Sequence, residues 1–441
     1  MTTNATHEDH KEHLRADLEW IRARTGTMTA VLNDDDLHRQ HLTIMSPVVW
    51  DMGHVANFEE LWLLRELDGR EPHDITRDDL YNPFDNPRWC RGDLPMLDRH
   101  EATEYLDEVR GDSLDILAKS DLRSDNPLLN DGYVFDMTAQ HEAQHQETIL
   151  QALDLRPDLE PYEPASAPLR PSPSADVDDE GRVLIPAGPF NLGTDNTRAA
   201  YDNERPQHRV TLDAFEIDRY PVTVRRYAQF IDADGYQQRD WWNEDGWTWN
   251  MEEGHEAPQG WLRDVGGGWL VRQFGHVRPL DPSTPVQHVS FWEAEAFCRW
   301  AGGRLLTEAE WEKAAAWDPV EGRSRTYPWG DGPPRPDHAN LDHVAWGPAP
   351  AGSYPNGAST YGVEQMLGDG YEWTSSEFAA YPGYSTFPYP EYSEVFFEEG
   401  YKVLRGASWA TSRLVARNSF RNWDHPKRRQ IFSGIRVGWD I

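Results

Sequence analysis

His141 and His145 stand four residues apart in the stretch "DMTAQHEAQHQETILQAL". In a helix, side chains at positions i and i+4 lie on the same face, so this spacing presents two imidazoles side by side. Neutral imidazole nitrogens bind Zn, Fe, Cu or Ni, and two of them on one helix face are typical of a metal site. A polar helix face without a metal would have the same spacing. The pattern therefore predicts a metal site but does not choose the metal.

His54 is the candidate for a third ligand. It lies within "WDMGHVANFEELWLL", an apolar stretch in which a lone histidine is more often a core residue with a satisfied hydrogen bond. In an antiparallel four-helix bundle, however, the second and fourth helices can face each other across the core, where metal sites are commonly built. Three imidazoles on one side of a metal would leave other coordination positions for substrate and oxygen.

The same stretch also spells the zinc-protease motif H-E-x-x-H, with Glu142 as the general base. The third zinc ligand of such enzymes is typically a glutamate on a following helix. Here the downstream acids, Glu160 and Glu163, fall in a Pro-rich segment that does not favour a helix. A zinc hydrolase is weakened by this placement but stays open as an alternative.

The elements that must position these histidines are predicted from apolar periodicity. Four helical stretches precede residue 155, which is the number expected for an antiparallel bundle. Ser46 is expected as the N-cap of the second, with Pro47 at the first helical position. The predicted helices are near 9–31, 47–67 and 101–119, and over the stretch that carries His141 and His145.

The chain changes character after this bundle. A stretch rich in Pro, Ser and Ala has no apolar period and predicts a linker. Beyond it, short strand-like runs bounded by Gly and Pro alternate with two helical stretches and long loops, which indicates an α+β domain whose loops carry specificity. The predicted organisation is a helical bundle at 1–156, a linker at 157–180 and an α+β domain at 181–441.

Composition limits the classes of partner. A formal net charge of −34 with only five lysines would repel nucleic acid and anionic membranes. The sequence has no run of about 18 apolar residues, so no membrane-spanning helix is expected. The N-terminus is polar and shows no apolar region of a secretory signal. Two cysteines, Cys90 and Cys298, fit a reducing cytoplasm rather than a disulfide scaffold. The acidic surface is explained equally well by a salt-adapted host or by codon bias.

Five blocks in the second half resemble the signature blocks of the formylglycine-generating enzymes (sulfatase-modifying factors), in the same order. They are "GRLLTEAEWEKAA", "YPWGD", "GVEQMLGDGYEWTSS", "VLRGASW" and "RNSFRNWDHPKRRQIFSGIRVG". The first half, with "GHVANFEE" and "HEAQHQET", resembles a DinB-like bundle with a three-histidine iron site. The combination resembles the sulfoxide synthases of ergothioneine biosynthesis (hercynine oxygenases) over nearly the whole chain. This resemblance implies a DinB-like four-helix bundle followed by a C-type-lectin-like domain.

The resemblance also implies a reaction and its cofactor. Members of this family use non-haem Fe(II) and O2 to join a thiol sulfur to the imidazole carbon of hercynine (Nα-trimethylhistidine), giving a sulfoxide. Their iron-binding histidines match His54, His141 and His145, and Gln144 matches a glutamine that helps to hold the hercynine imidazole. In "FPYPEYSEVFF", the Tyr-x-x-Tyr spacing places the family's catalytic tyrosine at Tyr389, with Tyr392 beside it. Asn422 and Trp423 resemble further hercynine-binding residues.

The resemblance also implies a thiol donor, γ-glutamylcysteine. Family members that use γ-glutamylcysteine carry two arginines three residues apart, matched here by Arg88 and Arg91, and an Asp and an Arg four residues apart, matched by Asp424 and Arg428. Guanidinium groups and one carboxylate suit a substrate with two carboxylates and an ammonium group. Surface Arg–Asp pairing is the ordinary role of such residues, and free cysteine remains open as the sulfur donor.

Departures from the related patterns narrow the alternatives. Cys298 is the only cysteine in the second half, whereas formylglycine-generating enzymes need a pair of reactive cysteines near the C-terminus, so sulfatase activation is disfavoured. Asp369 stands in "GDGYEW" where the family block usually has Asn, which weakens any expectation of calcium there. A non-catalytic lectin-like protein and a selenium-inserting synthase remain alternatives, and the arginine set weighs against the second of these. Small-molecule substrates and a monomer are expected.

Overall fold

The computed structural model describes residues 2–156, 161–162 and 177–441, and it divides into two compact units. Most of the predicted linker, residues 157–160 and 163–176, lies outside the described residues. The first unit comprises Met1–Ala167, Thr197–Ala199 and Gln273–His276, and the second comprises Pro168–Asn196, Ala200–Arg272 and Val277–Ile441. Two short pieces of the later chain therefore belong to the helical unit, which a single boundary in the sequence does not capture.

The first unit is helical, and its four long helices form the bundle predicted from the apolar periodicity. Its elements are α1 (Thr2–Ala30), α2 (Asp34–His38), α3 (Val48–Glu59), a π-helix (Glu60–Leu67) that continues α3, α4 (Thr76–Tyr81), a 3-10 helix (Arg88–Asp93), α5 (Arg99–Lys119), a 3-10 helix (Asn130–Gly132) and α6 (Tyr133–Asp154). Contacts link α1 with α5 and α6, and α3 with the same two helices. Apolar side chains such as Ile21, Val55 and Leu150 fill the interior.

The start of α3 differs from the prediction by one residue. Pro47, rather than Ser46, is the N-cap, and no side chain caps this helix. The Ser46 hydroxyl instead accepts a hydrogen bond from Nη1 of Arg91 at 2.7 Å. A buried guanidinium requires an acceptor, and this requirement outweighs the local preference of serine for the N-cap.

The second unit contains short strands and helices with long connections. Its strands are β1 (Arg182–Ile185), β2 (Gly188–Leu192), β3 (His208–Leu212), β4 (Phe215–Asp218), β5 (Trp261–Arg263), β6 (Trp269–Gln273), β7 (His276–Pro279), β8 (Arg304–Leu305), β9 (Trp317–Asp318), β10 (Arg323–Ser324), β11 (Gly370–Glu377), β12 (Lys402–Ala407), β13 (Asn422–Asp424), β14 (Ser433–Gly434) and β15 (Val437–Asp440). The last residue of β6 and the first residue of β7 belong to the first unit. Its helices are α7 (Val224–Asp232), α8 (Glu244–Glu253), α9 (Phe291–Trp300) and α10 (Glu308–Ala316).

Two four-stranded sheets organise this unit. One has the order β1-β4-β15-β8, and the other has the order β13-β12-β11-β14. A core cluster that includes Ile217, Trp311 and Leu367 is fully buried, which supplies the apolar burial that holds such short strands together. Strands β11 and β12 pair antiparallel, with Glu377 opposite Lys402. The connection between them, residues 378–401, is a long loop with two 3-10 turns, Pro390–Tyr392 and Glu394–Phe396.

None of the helices over the described ranges is long and apolar enough to span a lipid bilayer.

Candidate metal centre and substrate-binding residues

The three predicted metal ligands lie together in the bundle. His54 is on α3, whereas His141 and His145 are one turn apart on α6. Their potential ligand nitrogens all lie within 4.8 Å of one another, and the ring centroids are 4.6–5.0 Å apart. Over the ranges that the structure describes, this is the one group of three such side chains close enough to hold an ion.

Hydrogen bonds fix which nitrogen each of two rings offers. Nδ1 of His54 donates to the backbone carbonyl of Tyr81 at 2.9 Å, and Nδ1 of His145 donates to Oδ1 of Asp51 at 2.9 Å. Both rings therefore keep Nε2 as the lone-pair nitrogen. A metal-binding histidine characteristically donates its second ring N–H to a carbonyl or carboxylate in this way.

The His141 ring is oriented by packing instead. It stacks on Phe58 with centroids 3.7 Å apart and planes 14° apart. Its buried Nδ1 has no hydrogen-bond partner among the described residues. The pKa values of His54 and His141 both lie well below the usual value. Burial is the larger cause, and the neighbouring His145 is the second. His54 and His141 are therefore neutral near pH 7. Three imidazoles with potential ligand nitrogens within 4.8 Å of one another are a donor set that fits Fe(II) and equally Zn(II).

Beside the histidines, each of the four long helices contributes one charged side chain to a buried cluster, which we call the charge quartet: Arg22 of α1, Glu59 of α3, Arg110 of α5 and Glu142 of α6. Arg22 donates to Glu142 at 2.9 Å and to Glu59 at 2.7 Å. Arg110 donates to the same two carboxylates at 2.7–2.8 Å. The quartet has no net charge, and it ties together the helices that carry the histidines.

The charge quartet bears on whether Glu142 of the H-E-x-x-H motif can act as a general base. Its two oxygens accept from Arg22, Arg110 and the hydroxyl of Thr25, the last at 2.7 Å. Burial alone would raise the pKa of Glu142, but the two guanidinium charges outweigh it and lower the pKa to about 2. A carboxylate that is so weakly basic and so fully engaged does not suit a general base. The hydrogen bonds and the low pKa of Glu142 therefore argue against a zinc hydrolase.

Replacing Glu142 with glutamine should destabilise the protein by about 3 kcal/mol or more, because it leaves two buried guanidiniums with one carboxylate. Urea denaturation measures this loss. The matched control is Glu104→Gln on α5, whose side chain is 64% exposed, and it should change the free energy of unfolding by less than ~0.5 kcal/mol. Full stability in Glu142→Gln would contradict a structural role for this carboxylate.

The two arginines predicted for the thiol substrate lie in the 3-10 helix Arg88–Asp93. Arg88 is half-buried, and its Nη1 donates to the Ile44 carbonyl at 3.2 Å. Arg91 is buried, and its guanidinium lies 3.5 Å from the centroid of the Trp50 ring. Trp50 in turn stacks on His54, with centroids 4.8 Å apart and planes 12° apart. Arg91 is thus joined to a predicted metal ligand through one aromatic ring.

Gln144 lies on α6 between the two histidines and is half-buried. Its side chain is thus close along the helix to the predicted ligands without being part of the core.

In the second unit, the predicted tyrosines belong to an aromatic cluster. Tyr389 and Tyr392 are 6.4 Å apart between ring centroids, and Tyr392 meets Trp423 edge-to-face at 5.6 Å. The Trp423 ring also stacks on Phe378 at 4.1 Å. The structure therefore brings together three residues that the sequence places in two separate blocks.

Asn422, Trp423 and Asp424 form β13 and are all half-buried. Asp424 and Arg428 approach to 3.5 Å, so the predicted pair is an ion pair. Asp424 also accepts from the Gln430 amide at 3.1 Å and from the His425 backbone at 2.7 Å. This carboxylate is therefore held in place by the neighbouring chain.

Sequence reasoning missed two residues next to the predicted metal ligands. Asp51 orients His145, and Trp50 packs between Arg91 and His54. A signal for Asp51 exists, because it lies three residues before His54 and therefore on the same helix face. No comparable signal identifies Trp50, since an aromatic residue at the start of an apolar helix is ordinarily part of the core.

Comparison with known proteins covers both units. Residues 17–149 match the DinB superfamily, and residues 169–441 match the sulfatase-modifying factor enzyme 1-like domain. A hercynine oxygenase from Mycolicibacterium thermoresistibile is 47% identical, with 98% of this chain and 96% of the relative covered. The hercynine oxygenase of Mycobacterium tuberculosis is 46% identical, with 95% and 97% covered. The chain belongs to the hercynine oxygenase family.

Membership in the hercynine oxygenase family confirms the resemblance stated from the motifs and the predicted fold class, a DinB-like helical part followed by a formylglycine-generating-enzyme-like part. The formylglycine-generating enzyme of Bos taurus is also similar, at 32% identity, but it covers 47% of this chain and 59% of its own length. Cys298 is buried in α9, and burial raises its pKa, so it lacks the features of a reactive thiol.

Proposed function

We propose that this protein is an Fe(II)- and O2-dependent sulfoxide synthase that joins the sulfur of γ-glutamylcysteine to the imidazole carbon of hercynine in ergothioneine biosynthesis. The observation that carries the proposal is the group of three histidines, whose potential ligand nitrogens lie within 4.8 Å of one another, in a chain that is 46–47% identical to hercynine oxygenases over nearly its full length. The thiol and the iron are the parts that rest on the resemblance and on chemistry.

The reaction balances with O2 as the oxidant. The S–H bond of the thiol and one C–H bond of the imidazole are replaced by a carbon–sulfur bond. One oxygen atom of O2 enters the sulfoxide, and the other leaves as water with the two hydrogens. Fe(II), held by His54, His141 and His145, would supply the one-electron chemistry that O2 requires.

The protein side chains have separate tasks. Asp51 and the Tyr81 carbonyl hold two imidazoles in the tautomer that leaves Nε2 for the metal. Gln144 would hydrogen-bond the hercynine imidazole, while Asn422, Trp423 and Tyr392 would hold the rest of hercynine. An aromatic surface is suited to a trimethylammonium group through cation–π attraction. Tyr389 would donate a proton to the oxygen atom that leaves as water, a step that steers the outcome away from oxidation of the thiol alone.

The thiol side is assigned to Arg88, Arg91, Asp424 and Arg428. Burial lowers the pKa of Arg91 to about 10, so its guanidinium stays charged near neutral pH. Guanidiniums suit the two carboxylates of γ-glutamylcysteine, and a carboxylate suits its ammonium group. Free cysteine has one carboxylate fewer and would leave part of this set unused.

Arg88→Ala should lower kcat/KM for γ-glutamylcysteine by about 10- to 100-fold, because one charge-assisted hydrogen bond is lost, while kcat/KM for cysteine changes little. Steady-state O2 consumption with each thiol measures both values. Arg123→Ala is the matched control in the same unit, since Arg123 pairs only with the exposed Asp121 among the contacts described for it. Equal losses for both thiols would overturn the assignment of Arg88 to the thiol substrate.

The proposal is tested by anaerobic loading with Fe(II), followed by O2 uptake with hercynine and either γ-glutamylcysteine or cysteine, with products identified by mass. A hercynyl-γ-glutamylcysteine sulfoxide is the expected product. Sulfoxide formation from cysteine alone would refute the thiol assignment. A zinc-loaded protein that hydrolyses substrates without O2 would refute the oxygenase assignment.

We also propose that the protein acts as a monomer on these small molecules in the cytoplasm, where neither of its cysteines, Cys90 and Cys298, needs to be oxidised.

A further inference from the structure

The loop at 378–401, which carries Tyr389 and Tyr392, is fastened on both sides of these two tyrosines to one buried carboxylate. Asp202 is 1% exposed and lies in a 3-10 turn, Asp202–Glu204. Its Oδ2 accepts from the Tyr384 hydroxyl at 2.7 Å and from the Phe387 backbone N–H at 3.2 Å. Its Oδ1 accepts from the Ser393 hydroxyl at 2.6 Å.

These three donors bracket the tyrosines. Tyr384 and Phe387 precede Tyr389, and Ser393 directly follows Tyr392. Ser393 is fully buried, and its hydroxyl, which donates to Asp202, also accepts a hydrogen bond from the Asn203 amide at 3.0 Å. The loop thus converges on one short turn of chain from both sides of its functional part.

Packing adds to the polar contacts. The ring of Tyr201, the residue before Asp202, stacks on Tyr392 with centroids 4.2 Å apart and planes 21° apart. A long loop without a sheet or helix of its own has many accessible conformations, and ordering it requires such contacts. The turn that carries Tyr201 and Asp202 supplies both an aromatic platform and a polar anchor.

The turn itself is rigidly held. Glu204 accepts from Nε of the buried Arg417 at 2.8 Å, and the Asn203 carbonyl accepts from Nη1 of the buried Arg421 at 2.8 Å. A carboxylate on such a fixed support can set the position of the loop rather than move with it.

We propose that Asp202 is a positioning residue that holds the loop at 378–401 in the conformation in which Tyr389 can donate its proton. This inference rests on the proposed function of Tyr389. Asp202 would act only through the loop. Its loss should therefore change which product forms more than it changes the binding of metal.

The test compares the ratio of sulfoxide to sulfinic acid in the Fe(II)-loaded protein and its variants. Asp202→Asn keeps the volume of the side chain but replaces one acceptor oxygen with an amide NH2 group. This group would face at least one of the three donors, and that hydrogen bond would be lost. Its product ratio should fall on the order of tenfold, toward that of Tyr389→Phe. The double variant Asp202→Asn/Tyr389→Phe should match Tyr389→Phe alone, because residues that act through one another are not additive.

Two milder variants cover the case in which Asp202→Asn does not fold. Tyr384→Phe and Ser393→Ala each remove one donor, on opposite sides of the two tyrosines, and each should lower the product ratio about fivefold. The matched control is Asp369→Asn. Asp369 is also fully buried and accepts three hydrogen bonds, from Asn340, Ala349 and Gln365, but none from the loop at 378–401. Its replacement should leave the product ratio unchanged.

The proposal fails if Asp202→Asn and both milder variants keep the parental product ratio while Tyr389→Phe changes it. It also fails if the Asp369 control changes the ratio as much as Asp202→Asn does. Hydrogen exchange of segment 384–393 separates this failure from failure of the proposed function. If Tyr389→Phe has no effect on products, the role of Tyr389 is wrong. Faster exchange in Asp202→Asn would then still support anchoring of the loop, and unchanged exchange would overturn it.

Discussion

His145→Ala is expected to abolish stoichiometric retention of Fe(II) and, with it, all O2 uptake. Two imidazoles hold Fe(II) weakly, and the variant also strands the buried carboxylate of Asp51, which has His145 as its hydrogen-bond partner in the site. Iron per protein chain after anaerobic loading and desalting is the direct measurement. We expect the bound iron to fall from about one equivalent to a small fraction, since the loss of a ligand exceeds the ~10- to 100-fold cost of losing a residue that only supports a ligand.

His100→Ala is the control for this measurement. His100 is an exposed histidine on α5 that pairs with Glu104, and it lies outside the group of three. It should retain iron fully. A full equivalent of iron in His145→Ala would refute the metal site itself, whatever the activity of the variant.

Tyr389→Phe is expected to retain iron and O2 uptake but to divert the product from sulfoxide to the sulfinic acid of the thiol. The physical reason is the loss of one positioned proton donor, which is worth about 10²-fold or more in the step that it assists. Oxidation of the thiol alone, in which both oxygen atoms of O2 end on sulfur, needs no such donor. Mass analysis of both products against total O2 consumed measures the partition.

Tyr401→Phe is the control in the same loop. The Tyr401 ring stacks on His425 at 4.1 Å, so the ring packing is kept while a hydroxyl is removed. Its product ratio should equal that of the parent protein. If Tyr389→Phe gives the parental sulfoxide yield, another group donates the proton and Tyr389 has been wrongly chosen.

The sequence predicts the local features of this protein better than the distant ones. The spacing of His141 and His145 depends only on the helical repeat, and the bundle depends only on apolar periodicity, so both follow from short stretches of chain. The prediction of His54 needs more, since its proximity to α6 depends on how two helices pack. The expected bundle makes His54 a candidate, and the resemblance matches it to an iron ligand.

Long-range polar contacts could not be predicted in the same way. The charge quartet joins residues up to 120 positions apart, and Asp202 meets Ser393 across 191 positions. Nothing in the local pattern around Asp202 distinguishes it from an ordinary turn aspartate, because its function depends on which chain segment packs above it. The same holds for Ser46. Its hydroxyl accepts from the buried Arg91 instead of capping α3 as predicted.

The charge quartet has an electrostatic consequence for what the metal site will accept. Its two positive and two negative side chains cancel, and nearer the ligands the charge of Asp51 is opposed by that of Arg91. Imidazole ligands themselves contribute no anionic charge against a bound dication. Charge neutrality has to come from incoming ligands, so the site should select a thiolate over a neutral thiol and tolerate small anions as competitive inhibitors.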